Sequence, residues 1–217
     1  MIEFGELGYI LNLGVKFFII QITAIIFYQT NNLIITQIFG PEEVTPYSVT
    51  YQYLSVIMIG FAIVLTPYWS AFTDAYTKHD FKWIRKEIKK LKTLWLLIFV
   101  IMVIAIFAAD FVIHLWVGDK VNVNFWLTVT IGIYMLLTAF NSVNLSFLNG
   151  SGKVKIQLYI AIVFSVLHIP LAVFFCKQFG IPGIMVSAII NTAFTTVIYE
   201  IQYRKLINQN AKGIWNG

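Results

Sequence analysis

The sequence contains few charged residues, and this scarcity excludes most soluble folds. Asp, Glu, Lys and Arg make up 12% of its 217 residues, whereas soluble domains carry about 25%. Apolar residues reach 59%, against roughly 45–50% in soluble domains. A soluble protein of this composition would lack the charges that cover a water-facing surface. In lipid the requirement is reversed, because a charge at the centre of a bilayer is energetically costly. The composition therefore indicates an integral membrane protein.

Residues with recognisable chemistry are also scarce. Cys176 is the only cysteine, which excludes an internal disulfide and a multi-cysteine metal site. The sequence has no phosphate-binding loop, zinc-ligand helix, dinucleotide fingerprint or nucleophile elbow. Its basic residues do not alternate with aromatic residues as they do in nucleic-acid-binding proteins. We therefore expect a protein that is not an enzyme, uses no cofactor or metal, and binds no nucleic acid.

The charged residues are placed so that they leave six long apolar runs. Five runs reach the roughly 20 residues that cross a hydrocarbon core of about 30 Å as a helix, and apolar residues beyond Asp110 extend the third. Strand-like alternation is absent, so we predict an all-α polytopic membrane protein with residues 1–217 in one six-helix unit. The predicted transmembrane helices span about residues 9–38, 46–73, 93–117, 125–149, 156–176 and 184–203.

The basic residues are distributed unequally between the connections. The second and fourth connections and the C-terminal tail hold twelve Lys and Arg residues, whereas the opposite loops hold two, Lys120 and Lys177. Because short cytoplasmic loops are enriched in Lys and Arg, this distribution predicts that both termini lie in the cytoplasm.

The long second connection has the pattern of an amphipathic helix over about residues 78–92. Its apolar residues recur at helical spacing, and Asp80 is a suitable N-cap. We expect this helix to lie on the inner leaflet, where basic side chains attract anionic lipid. An alternative is that it gathers an anionic lipid-phosphate substrate. The predicted membrane-surface residues are Lys82, Arg85, Lys86, Lys89 and Lys90.

Polar residues inside the membrane are candidates for function, because each must find a partner or water there. The first helix is rich in them, which predicts that it borders a wet cavity or packs inside the bundle. Lys16 either binds an anionic substrate in that cavity or extends to the membrane surface. The candidate cavity residues are Lys16, Gln21, Thr23, Gln29, Asn31, Asn32 and, in the second helix, Tyr51.

Other membrane residues give weaker signals. Pro67 frees a backbone carbonyl in the second helix, and because such breaks mark hinges or sites in some transporters, we predict a hinge there. We interpret His168, which is close to Pro170, as a packed residue rather than a proton relay. Asn191 is interpreted as a residue that joins helices by hydrogen bonding.

Six segments, which keep their order along the chain, resemble sequences of one family of membrane proteins. The segments are residues 13–22 (LGVKFFIIQI), 40–47 (GPEEVTPY), 65–73 (LTPYWSAFT), 115–120 (LWVGDK), 147–153 (FLNGSGK) and 202–208 (QYRKLIN). Together they resemble bacterial O-antigen and polysaccharide flippases, which belong to the multidrug/oligosaccharidyl-lipid/polysaccharide exporter superfamily. Each motif alone has low specificity, but the ordered set covers essentially the whole chain.

The resemblance implies a function and a partner. It implies an undecaprenyl-pyrophosphate-linked oligosaccharide as cargo, alternating access between two six-helix lobes, and a location in the bacterial cytoplasmic (inner) membrane. The chain matches the second lobe, which implies that an N-terminal six-helix lobe is its partner. In related flippases the first two helices of this lobe face the cavity. Where relatives often have Asp-Asn, this chain has Asn31-Asn32, so no carboxylate is expected there to bind a coupling H⁺ or Na⁺.

Three alternatives to a flippase remain open. A drug or metabolite antiporter would need a carboxylate inside the membrane, and Asp74 and Asp110 lie near its edges. A membrane glycosyltransferase or polymerase would need catalytic residues on a large outer loop, and the predicted outer loops are short. A truncated fragment, inactive alone, is consistent with the half-length of the chain.

Overall fold

The computed structural model describes residues 4–118 and 121–217, so Lys120, one of the two basic residues predicted opposite the cytoplasm, lies outside the described residues. The described part contains six long α-helices and no strand, and each helix is long and apolar enough to cross a membrane. The predicted all-α, six-span membrane architecture is therefore confirmed. The helices are α1 (Phe4–Phe39), α2 (Val44–Thr77), α3 (Phe81–Val117), α4 (Phe125–Gly150), α5 (Lys155–Phe179) and α6 (Ile181–Ile207).

The helix ends follow from local capping chemistry. The Asp80 side chain accepts a hydrogen bond from the Trp83 backbone N–H at 3.0 Å, so Asp80 is the predicted N-cap of α3. Asn124 caps α4 in the same way. Between α5 and α6, Gly180 has φ +70°, a left-handed conformation that glycine adopts without steric cost. The turn there is a single residue, so the two helices are antiparallel neighbours.

The amphipathic segment is helical, but it is not a separate helix on the membrane surface. Helix α3 runs without interruption from Phe81 to Val117, and its first three turns are this segment. Its apolar residues Ile84, Ile88 and Leu91 are buried in the protein core. The expectation that this face rests on lipid is therefore wrong. The pattern in the sequence identifies an apolar stripe but does not reveal that α2 and α4 pack against this helix.

Helix α4 occupies the middle of the bundle. It packs against α2, α3 and α6, while α5 joins α6 to α1. Helices α1 and α2 are consecutive, but their backbones make little contact beyond the turn at Pro41–Glu43 that connects them. Instead, two ring pairs bridge them, Phe17 with Trp69 (centroids 5.4 Å apart) and Tyr28 with Tyr51 (5.2 Å). The face that α1 and α2 share is therefore loosely packed, and we call it the open face.

The second and fourth connections meet the C-terminal tail at one end of the bundle, which we call the basic end. Arg85 at the start of α3 donates to the Ile207 carbonyl at the end of α6 (3.3 Å). The Lys155 N–H donates to the carbonyl of Gly217 at 3.0 Å. The segments that carry most basic residues are thus gathered on one side, as the charge distribution predicts. That this side is cytoplasmic stays a prediction.

Helix α2 continues through Pro67 without a break. Proline has no N–H, so the Ile63 carbonyl one turn earlier loses its usual helical donor. The Pro67 carbonyl accepts a hydrogen bond from the Ser70 hydroxyl at 3.2 Å. Pro67 is therefore a weak point in a continuous helix, and its role as a hinge stays a prediction.

Candidate functional site

A buried chain of polar side chains connects four helices, with Asn31 of α1 at its centre. Asn31 is 2% exposed. Its Nδ2 donates to the Tyr47 hydroxyl of α2 at 3.2 Å, and its Oδ1 lies 2.7 Å from His168 Nε2 of α5. His168 Nδ1 lies 3.0 Å from the Ser187 hydroxyl of α6. We call Tyr47, Asn31, His168 and Ser187 the polar chain.

The polar chain is satisfied by one arrangement of protons on a neutral imidazole. With the proton on Nε2, His168 donates to Asn31 Oδ1, and its Nδ1 accepts from the Ser187 O–H. Buried polar groups in an apolar medium are costly unless paired. Here each pairs with a group on another helix, so the polar chain ties α1, whose packing on α2 is slight, to the rest of the bundle.

A cavity lies next to the polar chain, behind the ring of Phe27. This ring is 3.9 Å from the His168 ring and also lines the cavity, which measures about 250 Å³ between α1, α4, α5 and α6. Thr23 and Tyr134 belong to its lining, and so does Asn191, whose buried Nδ2 has no protein partner among the described residues. The cavity is slightly smaller than typical ligand pockets, which measure about 300–1,000 Å³. It has room for water or a small ion, not for an oligosaccharide.

A second recess lies between α4 and α2. It measures about 300 Å³ and is lined mainly by apolar side chains, with Ser55 and Ser142 as its hydroxyl groups. Both hydroxyls donate to carbonyls of their own helices, Ser55 to Gln52 and Ser142 to Thr138. The two recesses therefore supply little free hydrogen-bonding capacity inside the lobe.

The structure separates the predicted cavity residues of α1 into two groups. Asn31 and Asn32 point into the protein, and the buried Asn32 Oδ1 has no partner among the described residues. Thr23 lines the small cavity but donates to the Ile20 carbonyl of its own helix at 2.8 Å. Gln21 and Gln29 are exposed on the outside of the bundle. They do not share one enclosed site with Asn31, so any common ligand must reach them from outside the lobe.

Tyr51 lies where α1 faces α2, whereas Lys16 is on the face of α1 that carries Ile20, Thr23 and Phe27. Lys16 is partly buried, and its ammonium group makes no hydrogen bond or ion pair with the residues that the structure describes. The next residue, Phe17, points in a different direction, and its ring bridges to α2 at Trp69. Tyr51 forms the other bridge, to Tyr28. Of the two predicted residues, only Tyr51 thus borders the open face shared by α1 and α2.

Three members of the polar chain were not predicted as site residues. His168 was interpreted as a packed residue, and it is indeed buried at 1% exposure. However, its contact with Asn31 joins positions 137 residues apart, and no spacing in the sequence indicates that contact. The signal that was available is chemical, because a histidine inside an apolar run requires a partner.

The fold and these contacts define the class of protein, a multi-pass membrane protein built as one six-helix bundle. A family model described as polysaccharide biosynthesis protein matches residues 1–127, which is more than half of the chain. The chain therefore belongs to the polysaccharide biosynthesis protein family, and the predicted relationship to a family of this type is confirmed. The match includes Asn31 and Tyr47 but ends before His168 and Ser187. Comparisons with curated proteins and with solved structures give no match.

Proposed function

We propose that the chain is one half of a transporter that flips an undecaprenyl-pyrophosphate-linked oligosaccharide, an O-antigen or other surface polysaccharide unit, across the bacterial cytoplasmic membrane. The observation that carries this proposal is the membership of the polysaccharide biosynthesis family in a chain that is almost entirely transmembrane helix. A protein with this architecture has little extramembrane surface on which to assemble sugars. Movement of a lipid-linked sugar through the membrane is the step that a helical bundle suits.

The sizes of the internal spaces support a cargo path outside this lobe. The recess that α4 forms with α1, α5 and α6 and the one that it forms with α2 measure about 250 and 300 Å³, and an oligosaccharide with a diphosphate does not fit into either. Helix α1 instead presents the exposed amides of Gln21 and Gln29 and the partly buried Lys16, together with many exposed apolar side chains. An exposed apolar face with interspersed amides fits a cavity formed with a second lobe. The proposed partner is therefore an N-terminal six-helix lobe that faces α1 and α2.

The proposed mechanism involves no bond making or breaking. The Lys16 ammonium and the α1 amides bind the anionic headgroup, while the prenyl tail stays in lipid. The two lobes then rock so that the cavity opens first inward and then outward. The polar chain has a defined task here, because it fixes α1 to α5 and α6 through Asn31 and His168, so that α1 moves with its lobe as one body.

The proposal is tested at Lys16, whose charge is the feature that distinguishes binding of a diphosphate from other roles. Lys16→Gln, introduced at the chromosomal locus so that any second lobe is present, should lower surface polysaccharide at equal protein level. Lys16→Arg keeps the charge and should retain most of the wild-type amount. Lys177→Gln removes a charge from the exposed end of α5 and serves as the matched control. Equal polysaccharide from Lys16→Gln and wild type would remove Lys16 from the mechanism.

A further inference from the structure

A pocket at the basic end lies away from α1 and α2 in its lining. This pocket, of about 380 Å³, opens between α3, α4 and α6. Arg85, Lys89 and Lys92 line it from positions i, i+4 and i+7 of α3, which fall on one helix face. Trp95 and Tyr203 complete its wall. No residue of α1 or α2 is part of the lining, so this pocket is separate from the proposed cargo path.

The basic side chains of this pocket keep unused hydrogen-bond donors. Arg85 uses Nη2, which donates to the Ile207 carbonyl at 3.3 Å and the Asn208 side chain at 3.0 Å. These bonds fix the guanidinium while its Nε and Nη1 stay free of partners among the described residues. The Lys89 ammonium makes no bond with any residue of the described chain. A fixed guanidinium with free N–H groups beside an unpaired ammonium is a suitable receptor for a phosphate group.

The charge around the pocket is positive even when Glu200, the carboxylate that pairs with its Lys92, is counted. Glu200 accepts from Lys92 at 2.6 Å and from Arg204 at 2.9 Å, so its single negative charge is shared by two cations. Lys92 also lies 5.2 Å from the centre of the Tyr203 ring. Arg85 and Lys89 form no ion pair with a residue of the described chain, and they leave the pocket with a net positive charge.

The surface of α3 beyond the pocket is apolar and open. Trp95 is held in place by a hydrogen bond from its indole N–H to the Leu136 carbonyl at 2.9 Å. Further along the same helix face, Leu96, Phe99 and Val100 are exposed by 56%, 43% and 52%. A ligand that fits must therefore be anionic at one end and apolar along the adjoining surface, which is the shape of a lipid with a phosphate headgroup.

We propose that this pocket binds one anionic glycerophospholipid, with its phosphate at Arg85 and Lys89 and an acyl chain along Leu96. Free phosphate would leave the adjoining apolar surface unused. The polyprenyl diphosphate cargo carries a sugar headgroup that exceeds the pocket volume. The bound lipid fixes the depth of α3 at the membrane surface. Because Arg85 also contacts Ile207 and Asn208, the lipid fixes the end of α6 as well.

The test is native mass spectrometry of the purified, delipidated 217-residue chain in detergent, titrated with phosphatidylglycerol, phosphatidylcholine or inorganic phosphate. One phosphatidylglycerol should bind in preference to phosphatidylcholine, and inorganic phosphate should not bind. Lys89→Gln should raise the dissociation constant of phosphatidylglycerol about fivefold, as expected for loss of one basic contact near anionic lipid. Lys89→Arg should restore it. Lys86→Gln, an equal charge change at an exposed neighbour outside the pocket, should leave it within twofold.

Three results would overturn the proposal. Equal weakening by Lys86→Gln and Lys89→Gln would mean general attraction to the basic end rather than a site. Binding of inorganic phosphate as tight as that of phosphatidylglycerol would mean that no lipid is specified. Displacement of phosphatidylglycerol by equimolar polyprenyl phosphate would make this a place where cargo is loaded. None of these readouts depends on transport, so they are independent of the proposed function.

Discussion

The polar chain gives a prediction about how firmly α1 is attached. Asn31→Ala removes the hydrogen-bond partner of the Tyr47 hydroxyl and of His168 Nε2 in one step. An unpaired buried group in a soluble protein costs about 1–3 kcal/mol. Interhelical hydrogen bonds in membrane proteins contribute less, about 0.6 kcal/mol on average and about 1.7 at most, because the separated helices also find partners. With two bonds lost, we expect a loss of about 1–3 kcal/mol in unfolding free energy.

The measurement is reversible unfolding of the purified chain in mixed micelles by titration with sodium dodecyl sulfate. Thr36→Ala is the control, because Thr36 is exposed on the same helix and bonds only to the Asn32 carbonyl one turn away; its effect should stay within about 0.5 kcal/mol. A double-mutant cycle of Asn31→Ala with Tyr47→Phe should give a coupling energy of at least about 0.5 kcal/mol. If Asn31→Ala costs no more than Thr36→Ala and the cycle shows no coupling, the polar chain does not hold α1.

Two further predictions concern packing and charge elsewhere in the bundle. A Cβ added at Gly183 would collide with the backbone carbonyl of Phe175 where α5 meets α6, so Gly183→Ala should lower the unfolding free energy by about 1–3 kcal/mol in the same titration. Gly60→Ala is the control and should be neutral or stabilising, because no atom lies within 4 Å of the added Cβ. Similar values for both variants would refute the close contact. Glu200→Gln should leave Lys92 without its carboxylate and lower the unfolding free energy by about 1–3 kcal/mol, a value between those for exposed and buried ion pairs. If high salt leaves this decrease unchanged, the contact is not an ion pair.

The number of helices could be predicted because lipid imposes a strong constraint on sequence. A span must satisfy its backbone hydrogen bonds internally and exclude most charges, so charge-free runs mark the part of each helix in lipid. The same rule does not locate helix ends outside the lipid. The amphipathic segment at about 78–92 and the membrane span from 93 were predicted separately, whereas the structure joins them in one helix that begins at Phe81, after its predicted N-cap Asp80. The basic residues that follow are compatible with a helix, though not with lipid.

The residues of the candidate site were predicted only in part, for a physical reason. Polar residues in α1 are conspicuous in the sequence, but the sequence does not show which of them find partners. Asn31 finds two and is buried, whereas Gln21, ten residues earlier, is exposed. The outcome depends on whether α5 presents His168 at the same depth as Asn31, which is a matter of packing between distant segments.

The central claim, that this chain moves a lipid-linked oligosaccharide rather than making it, is tested most directly by following the cargo in cells. Deletion of the chromosomal locus should abolish surface polysaccharide while complete lipid-linked oligosaccharide accumulates on the cytoplasmic face of the membrane, where an enzyme added from outside the cell cannot reach it. The intact gene should reverse both effects. Loss of surface polysaccharide with no accumulation of the complete lipid-linked unit would contradict the account, because it would place the protein in synthesis instead of transport.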